Sequence, residues 1–405
     1  MSEFAIWMVA LSVFLLFYAY AGYPLLLFLL SAVLRRRPPL NDYRPTVSIL
    51  IAAYNEEKSI TRKLSETVAL NYPADKLEII VASDGSTDGT DARVREFEDP
   101  RVRLVRVEGR RGKTRAQNEA ILECHGEIVV FSDATAIYHR DSIARLAAHY
   151  EDPKVGAVSG RYKYFDADGV SPTGLGSVAF WNYENLIKLM QSRIGTLTGC
   201  SGCIYSVRRS CYTPLPDEAC SDLVEPLHIV KKGYRVAFEP AALAFEDTTV
   251  STKQEFRMRV RVATRGMRGI LSVPELLNPR KRPWVAFQLF SHKVMRWLVP
   301  LFLVSLFIGT AVLIRQPLLR IFLGLQLLFY AFAAVSVVIP FHRSWKVLGL
   351  PLFFCTLNAA AAVGLIEVLR GHRYATWETV RRETELPQGA IPSTPVESTS
   401  IGRDS

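Results

Sequence analysis

The chain has 405 residues, 49% of them hydrophobic, and a formal net charge of +10. That length allows one large core or two domains. The apolar residues are unevenly spread, and four runs contain no charged side chain: residues 4–34, 297–314, 321–341 and 347–366. A helix needs about 20 apolar residues to cross a bilayer, so these runs predict four transmembrane helices. Four such runs in one chain disfavour the alternative, helices buried in a soluble core.

The positive charge lies largely beside these apolar runs. The flanking basic residues are Arg35–Arg37, Arg280–Arg282, Lys293, Arg296 and Arg343. The tendency of Lys and Arg to remain on the cytoplasmic side of a membrane explains this placement better than binding to nucleic acid, so no nucleic-acid partner is expected. It predicts that residues 38–290 are cytoplasmic, in a multi-pass protein of the inner (plasma) membrane that contacts membrane lipid.

The basic residues after the last apolar run conflict with four crossings. Four crossings with residues 38–290 inside put both termini outside, whereas Arg370, His372 and Arg373 favour the cytoplasm. Either the last run is re-entrant or the first run is not a simple single crossing.

Strand and helix patterns alternate after the first apolar run. Strands are predicted at 47–53, 77–82, 102–107 and 128–132, with helices at 60–70, 91–97 and 115–124 between them. Four β-formers in a row, Ile128–Phe131, are typical of a strand that is buried on both faces. The alternation predicts an α/β fold, Rossmann-like, with a mostly parallel sheet and helices on both faces.

The following region is less regular. Helices are predicted at 180–191 and 223–232, and strands at 203–207 and 234–239. A helix at 254–270 has separate apolar and arginine stripes, as helices at a membrane surface do. The predicted domains are a transmembrane helix (1–36), an α/β domain (37–250), amphipathic interface helices (251–290), three transmembrane helices (291–370) and a partly disordered tail (371–405).

Polar side chains follow three of the predicted strands. Asn55-Glu56, Asp84 and Asp133 stand at carboxyl ends, where open α/β sheets bind ligands. Carboxylates beside a diphosphate need a divalent cation, and Mg²⁺ or Mn²⁺ takes one or two carboxylates together with phosphate oxygens. Lys113, in a Gly-flanked loop before a helix, can attract an anion. The alternatives are ordinary helix N-caps for the acids and a solvated surface loop for Lys113.

Longer motifs surround these residues. They are Ala52–Glu57 (AAYNEE), Ser83–Thr90 (SDGSTDGT), Phe131–Ala134 (FSDA), Gly199–Gly202 (GCSG), Ser221-Asp222, Gly233–Val236 (GYRV) and Glu239-Pro240. In this order they resemble family-two glycosyltransferases with a GT-A fold, over about residues 45–270. The flanking apolar runs resemble the membrane-bound synthase branch of that family, which includes hyaluronan, cellulose and poly-N-acetylglucosamine synthases.

The resemblance implies a donor site for a nucleoside-diphosphate sugar, with a UDP-sugar as the first choice. Tyr54 and Glu56 would line the nucleoside pocket, and Asp84 would hold the uracil or ribose side. Lys113 would lie near the base and the phosphates. Asp133 would bind Mg²⁺ or Mn²⁺, as the first acid of the family's Asp-x-Asp motif.

The resemblance also implies catalytic and acceptor residues. Asp222 matches the acid that acts as general base, although an N-cap for the helix at 223–232 is the simpler alternative. Arg261 matches the Arg of the family's Gln-x-x-Arg-Trp motif, near the diphosphate. The acceptor cleft would be shaped by Gly199, Cys200, Ser201 and Gly202.

Two positions depart from the family's pattern. Thr135 stands where the Asp-x-Asp motif has its second acid, and a neutral hydroxyl is a poorer ligand for a hard cation than a carboxylate. Met258 and Val262 replace the Gln and Trp of Gln-x-x-Arg-Trp. In the synthases that Trp packs against the acceptor sugar, so its absence argues against long-chain processive synthesis.

Together these observations predict a membrane-embedded inverting glycosyltransferase. A sugar on a diphosphate carries a good leaving group once the developing charge is neutralised, and the acceptor hydroxyl needs a base. The acceptor is a growing polysaccharide or glycan, or alternatively a lipid such as a polyprenyl phosphate or glycolipid. A transporter with a nucleotide-sensing domain is the alternative from another class, but its spans usually carry charges or Gly and Pro breaks.

Overall fold

The computed structural model describes residues 2–34, 42–165, 174–247, 252–339, 346–374 and 376. The strands are β1 (Val47–Ala53), β2 (Leu77–Asp84), β3 (Val102–Val107), β4 (Ile128–Asp133), β5 (Ile137–Tyr138), β6 (Val155–Phe165), β7 (Ile204–Arg208) and β8 (Arg235–Asp247). The α-helices are α1 (Ser2–Phe17), α2 (Tyr23–Val33), α3 (Glu57–Val68), α4 (Thr90–Arg95), α5 (Lys113–Ala120), α6 (Ser142–Ala148), α7 (Gly174–Ile194), α8 (Ser221–Lys231), α9 (Thr252–Leu271), α10 (Pro283–Gln288), α11 (Met295–Val312), α12 (Pro317–Val338) and α13 (Leu350–Leu369).

The eight strands form one mixed sheet in the order β3-β2-β1-β4-β7-β6-β8-β5. The β3-β2-β1-β4 half is parallel throughout, as the alternating pattern predicted. Ala52 of β1 pairs with Asp133 of β4, and Ala53 pairs with Ser83 of β2. The carboxyl ends of these strands are therefore level, which brings the three strand-end motifs to one edge.

The other half of the sheet is less uniform than the sequence predicted. β7 runs antiparallel to both β4 and β6, and β5 runs antiparallel to β8, whereas β6 and β8 are parallel. The last strand continues to Asp247 rather than ending at Glu239, with a register shift after Gly160 of β6. The extension carries β8 back towards the end of β4.

Two apolar cores lie on opposite faces of the sheet. One contains Ile60 and Leu64 of α3 and Ile143 of α6, together with one set of strand side chains. The other contains Ala116 of α5 and Leu227 of α8, together with the alternate set. Side chains of β1 alternate between the two cores, because neighbouring residues of a strand point to opposite faces. The central strands are consequently buried on both sides, as in an α/β domain.

Four helices are long and apolar enough to cross a membrane: Glu3–Val33, Pro283–Val312, Pro317–Val338 and Val347–Leu369. The first joins α1 and α2 through a π-helical segment, Tyr18–Gly22, and the second joins α10 and α11 through another, Leu289–Val294. These two helices pack antiparallel, because Gly309 lies against Val9 near one end while the Tyr18 hydroxyl lies 2.7 Å from Ser291 Oγ near the other.

The basic helix α9 is held between the α/β domain and α13. A Cβ atom on Gly269 would lie 2.7 Å from Val224 of α8, and one on Gly364 of α13 would lie 2.9 Å from Ala263. The predicted apolar stripe is buried in these contacts, as the low exposures of Val260, Ala263, Met267 and Ile270 show. The helix is therefore covered by protein on two sides.

Candidate active site

The loops that follow β1 and β2 are joined by reciprocal hydrogen bonds. The backbone N–H of Thr87 donates to Asn55 Oδ1 at 2.8 Å, and the Asn55 N–H donates to Ser86 Oγ at 3.2 Å. The N–H of Glu56 donates to Thr90 Oγ1 at 2.7 Å. Asn55 has a positive φ of 53°, which Asn tolerates better than most residues. The two motifs thus form a single wall beside the sheet edge.

Tyr54 and Glu56, the predicted nucleoside-pocket residues, lie on this wall and are partly exposed. The Arg110 guanidinium carbon lies 4.2 Å from the centroid of the Tyr54 ring, within the range of a cation–π contact. Ser59 Oγ donates to Glu56 Oε2 at 2.5 Å. The wall therefore carries an aromatic ring and a carboxylate two residues apart.

Asp84 is fully buried and fixes the loop that precedes Lys113. Its carboxylate accepts the backbone N–H of Arg111 at 2.8 Å and of Gly112 at 2.9 Å. Burial raises the pKa of Asp84, and these two amides act against that rise. Gly112 has a φ of 102°, a conformation that favours glycine. Asp84 thus determines where α5 and its first residue, Lys113, begin.

Lys113 connects the two ends of the candidate site. Its ammonium group forms an ion pair with Asp133 and donates to the carbonyl oxygen of Gly202 at 3.2 Å. Burial acts to lower the pKa of Lys113, but the carboxylates of Asp133, Asp222 and Glu246 outweigh it and raise the pKa. The Lys113 side chain is 18% exposed and is not a freely solvated side chain, although residues 108–111 of its loop are exposed.

Asp222 lies next to Gly202, whose carbonyl oxygen accepts from Lys113. A Cβ atom on Gly202 would be only 3.0 Å from Asp222 Oδ2, so glycine leaves room for this carboxylate. Helix α8 begins at Ser221 with Cys220 in the N-cap position and no side-chain capping bond. Asp222 is therefore not the N-cap of that helix.

The thiol of Cys220 donates to Asp222 Oδ1 at 2.9 Å. Burial, reinforced by the negative charge of Asp222, raises the pKa of Cys220 to about 12. The thiol consequently keeps its proton at neutral pH and acts as a weak donor to the carboxylate.

Glu246 is a site residue that the sequence analysis missed. Thr135 Oγ1 donates to Glu246 Oε1 at 2.9 Å, and the Tyr162 hydroxyl donates to Oε2 at 2.5 Å. The side chain is 3% exposed and lies near the end of β8, beyond the point where that strand was predicted to stop. The sequence pattern that could have pointed to Glu246 is an acid directly after the apolar run Ala242–Phe245. Thr135 therefore stands beside a carboxylate, although it is not one itself.

The donor groups suit a divalent cation only in part. Among the residues described, no three His, Cys, Asp or Glu side chains form a complete metal site. Asp133 and Glu246 both act on Lys113, so this end of the site attracts positive charge. Mg²⁺ and Mn²⁺ need only one or two carboxylates when phosphate oxygens supply further ligands. The residues thus fit an ion that enters together with a diphosphate.

The predicted acceptor loop consists of Gly199, Cys200, Ser201 and Gly202. The two glycines are partly exposed, while the side chains of Cys200 and Ser201 are buried. The Cys200 N–H donates to the Asp222 carbonyl oxygen at 2.7 Å, and the buried Lys188 of α7 donates to Ser201 Oγ at 2.7 Å. This loop therefore presents its backbone and its glycines, rather than side chains, to a ligand. The contact of Lys188 with the loop was not predicted from the sequence.

The arginine stripe of α9 reaches the same region. Arg265 donates to the Glu218 carbonyl oxygen at 3.1 Å and to Thr114 Oγ1 at 3.3 Å. It thereby joins the loop before α8 to the beginning of α5. The predicted Arg261 is partly exposed and acts electrostatically on Tyr374. Arg265, one turn beyond it, was not predicted as a site residue.

Comparison with known proteins shows which families this chain is similar to. Residues 48–213 match the model of glycosyl transferase family 2. The chain is 26% identical, over 87% of its length and 86% of the relative's, to an N-acetylglucosaminyltransferase of Rhizobium meliloti. It is 28% identical, over 58% of both chains, to the poly-beta-1,6-N-acetyl-D-glucosamine synthase of Staphylococcus aureus. The chain spans only 58–61% of the length of several such relatives.

A solved structure has the same fold. It is the mannosyltransferase PcManGT from Pyrobaculum calidifontis, in complex with GDP-Man and Mn²⁺, which matches 89% of this chain with a TM-score of 0.68 and 24% sequence identity. The structural match extends beyond the α/β domain into the helices, because the matched 89% of the chain is longer than that domain. The predicted α/β fold and the predicted family are confirmed by these matches. Residues 48–213 therefore match the glycosyl transferase family 2 model, and the chain shares the GT-A-like fold of the solved mannosyltransferase.

Proposed function

We propose that this enzyme transfers a sugar, with inversion, from a nucleoside-diphosphate sugar to a hydroxyl group, at the cytoplasmic face of the plasma membrane. The observation that carries the proposal is the row Asp133–Lys113–Gly202–Asp222. This row places a charge-binding end, and a carboxylate with no ion-pair partner among the described side chains, near one partly buried ammonium group.

The donor binds at the Asp133 end. Tyr54 and Glu56 contact the nucleoside, Asp84 fixes the loop of Lys113, and Lys113 attracts the diphosphate. A divalent cation, Mg²⁺ or Mn²⁺, would be held by Asp133 and Glu246 and would neutralise charge on the departing diphosphate. Mn²⁺ in the mannosyltransferase complex supports this choice. Arg261 and Arg265 add positive charge on the same side of the site.

The acceptor binds at the Asp222 end, over the glycines of the 199–202 loop. Asp222 takes the proton of the acceptor hydroxyl, whose oxygen then attacks the anomeric carbon. The bond to the diphosphate breaks on the opposite face of the sugar, so configuration inverts. Gly202 is partly exposed beside Asp222, and a side chain at this position would crowd the carboxylate.

The donor and acceptor classes follow from the relatives. Their names support N-acetylglucosamine as the transferred sugar and a glycan as the acceptor. Val262, in place of an aromatic residue, favours the addition of few sugars rather than long-chain synthesis. A lipid acceptor is the second candidate, because the same chain carries both the candidate site and helices apolar enough to cross a membrane.

The decisive experiment is a panel of sugar nucleotides with the purified, membrane-reconstituted full chain. We expect UDP release from UDP-N-acetylglucosamine that requires Mg²⁺ or Mn²⁺ and stops with EDTA. Mass spectrometry of the aqueous and organic-solvent phases then separates glycan from lipid products. A chain that releases no nucleoside diphosphate from any donor, with glycan and lipid acceptors both supplied, contradicts the proposal.

A further inference from the structure

The last apolar helix, α13, has the composition of a membrane span but the contacts of an interface helix. It is 20 residues long, or about 30 Å at 1.5 Å per residue, which is the thickness of a bilayer's hydrocarbon core. A helix that crosses would have one end at the catalytic domain and the other end about 30 Å away. The contacts of the two ends of α13 can therefore distinguish crossing from lying alongside.

The first turn of α13 lies at the domain. A Cβ atom on Gly176 of α7 would collide with the Phe353 ring, and the Arg259 guanidinium of α9 lies 5.5 Å from the centroid of that ring. Phe180 of α7 is 6.2 Å from Phe353 and 5.1 Å from the Arg296 guanidinium. This turn consequently lies among the charged residues that mark the domain end of the helical bundle.

The last turn of α13 also lies at the domain. Arg268 of α9 donates to the Val368 carbonyl oxygen at 3.5 Å. Just beyond the helix, Arg373 forms an ion pair with Glu218 at 2.8 Å. Glu218 belongs to the loop that Arg265 joins to the beginning of α5. The C-terminal end of α13 is thus next to the candidate active site.

The helix between these ends follows α9. Gly364 lies against Ala263 and Thr264, so close that a Cβ atom would be 2.9 Å from the Ala263 side chain. The residues facing this contact are small, in the run Ala359–Gly364, which allows close approach of two helices. α9 itself carries Lys253, Arg257, Arg259, Arg261, Arg265 and Arg268, which exclude it from the hydrocarbon core.

We infer that α13 does not cross the membrane but lies at the boundary between the membrane and the catalytic domain. It has α9 on one side, and on the other it has lipid together with Tyr20 and Phe329 of the membrane-spanning helices. Its exposed apolar side chains, Ile366 and Leu369 among them, face the acyl chains near the headgroups. The chain then crosses three times, through α1–α2, α10–α11 and α12. The C-terminus lies on the same side as the active site, in place of the predicted third C-terminal crossing.

This arrangement removes the charge conflict noted in the sequence. With three crossings, Arg370, His372 and Arg373 lie on the same side as Arg35–Arg37 and Arg280–Arg282, as the distribution of positive charge requires. The turn between α11 and α12, which contains Arg315, lies on the far side with the N-terminus. The inference depends on helix contacts alone and stands even if the sugar-transfer reaction proposed above is wrong.

Labelling of single added cysteines in intact cells tests the topology. Arg370→Cys is compared with Glu98→Cys in the catalytic domain and Arg315→Cys in the far-side turn, all three at exposed positions, with the parent chain as background. A membrane-impermeant maleimide should label Arg315→Cys in intact cells, and label Glu98→Cys and Arg370→Cys only after permeabilisation. Labelling of Arg370→Cys in intact cells, or of Glu98→Cys and Arg315→Cys from the same side, overturns the inference.

A cross-link provides a second, independent measurement. The double variant Ala263→Cys with Gly364→Cys should form a disulfide under mild oxidation in membranes, because these positions are in contact. Ala263→Cys with Gly324→Cys is the matched control, since nothing lies within 4 Å of Gly324. Equal cross-linking in the two variants, or none in the first, contradicts the packing of α13 on α9.

Discussion

Asp133 and Asp222 are the same residue type near one lysine, Lys113, and their surroundings differ. Asp133 forms an ion pair with the Lys113 ammonium. Asp222 accepts a hydrogen bond from the neutral Cys220 thiol and forms no ion pair with any side chain in the described part of the chain. In the proposed mechanism the carboxylate held by a cation binds charge, whereas the carboxylate with a neutral donor acts as the general base. Environment, rather than residue type, thus separates the two roles.

The largest expected effect is on the Asp222 side. Asp222→Asn removes the proton acceptor, so we expect turnover to fall by about 10³-fold, within the range for loss of a general base. The donor's Kd should change by less than about twofold, because donor contacts lie at the Asp133 end. Rates of nucleoside-diphosphate release and calorimetric titration with UDP measure the two quantities.

The control for this variant is Asp75→Asn, at an exposed position away from the site. It should leave both quantities unchanged. Normal turnover in Asp222→Asn removes this residue from the mechanism, and an equal loss in turnover and in donor affinity shows that the two ends are not separate.

The next effect is on the ammonium that joins the two ends. Lys113→Met leaves Asp133 unpaired near Asp222 and Glu246 and removes the positive charge proposed to attract the diphosphate. We expect donor affinity to fall by roughly 10²-fold, with turnover at saturating donor less affected. Lys154→Met, at an exposed position, is the control. If KM for the donor is unchanged in Lys113→Met, the diphosphate does not bind at this end.

A smaller effect is expected at Glu246. Glu246→Gln keeps the shape and one acceptor oxygen for the Thr135 or Tyr162 hydroxyl but removes one charge, so we expect Mn²⁺ to bind about 10-fold more weakly in the presence of UDP. Electron paramagnetic resonance of free Mn²⁺ measures this without turnover. Asp133→Asn should weaken binding more than Glu246→Gln does, and the reverse order would make Glu246 the principal ligand.

The smallest effect concerns stability and pH. Burial raises the pKa of Glu225, one turn after Asp222, to about 8 from an ordinary value of 4.5. Between pH 4.5 and 8 the folded chain therefore keeps the Glu225 proton, whereas the unfolded chain loses it. The free energy of unfolding consequently falls as pH rises through this range. Glu225→Gln cannot ionise, so its free energy of unfolding at pH 8 should exceed that of the parent by roughly 2–4 kcal/mol.

Thermal unfolding of the parent and of Glu225→Gln, measured in detergent between pH 4.5 and 8, tests this predicted difference in stability. The parent and variant curves should converge near pH 4.5 and separate as pH rises. A constant difference across the range would show that a lost hydrogen bond, and not ionisation, separates the two proteins.

The sequence by itself determined the parts that depend on local pattern. The parallel strands β1, β2 and β4 could be predicted, because consecutive apolar β-formers and the polar residues that end them are neighbours in the chain. Asp133 was recognisable for the same reason. The family motifs likewise pointed to Asp222, yet its local pattern was equally that of a helix N-cap.

Only the tertiary structure decided the contacts between distant segments. Glu246 reaches Thr135 across 111 residues, and Cys220, rather than Asp222, occupies the N-cap of α8. The position of α13 beside α9 is a contact of the same kind, because an apolar helix of 20 residues can satisfy its backbone either across a bilayer or along its surface. Composition measures how much apolar surface a helix carries, whereas its partners decide where that surface lies.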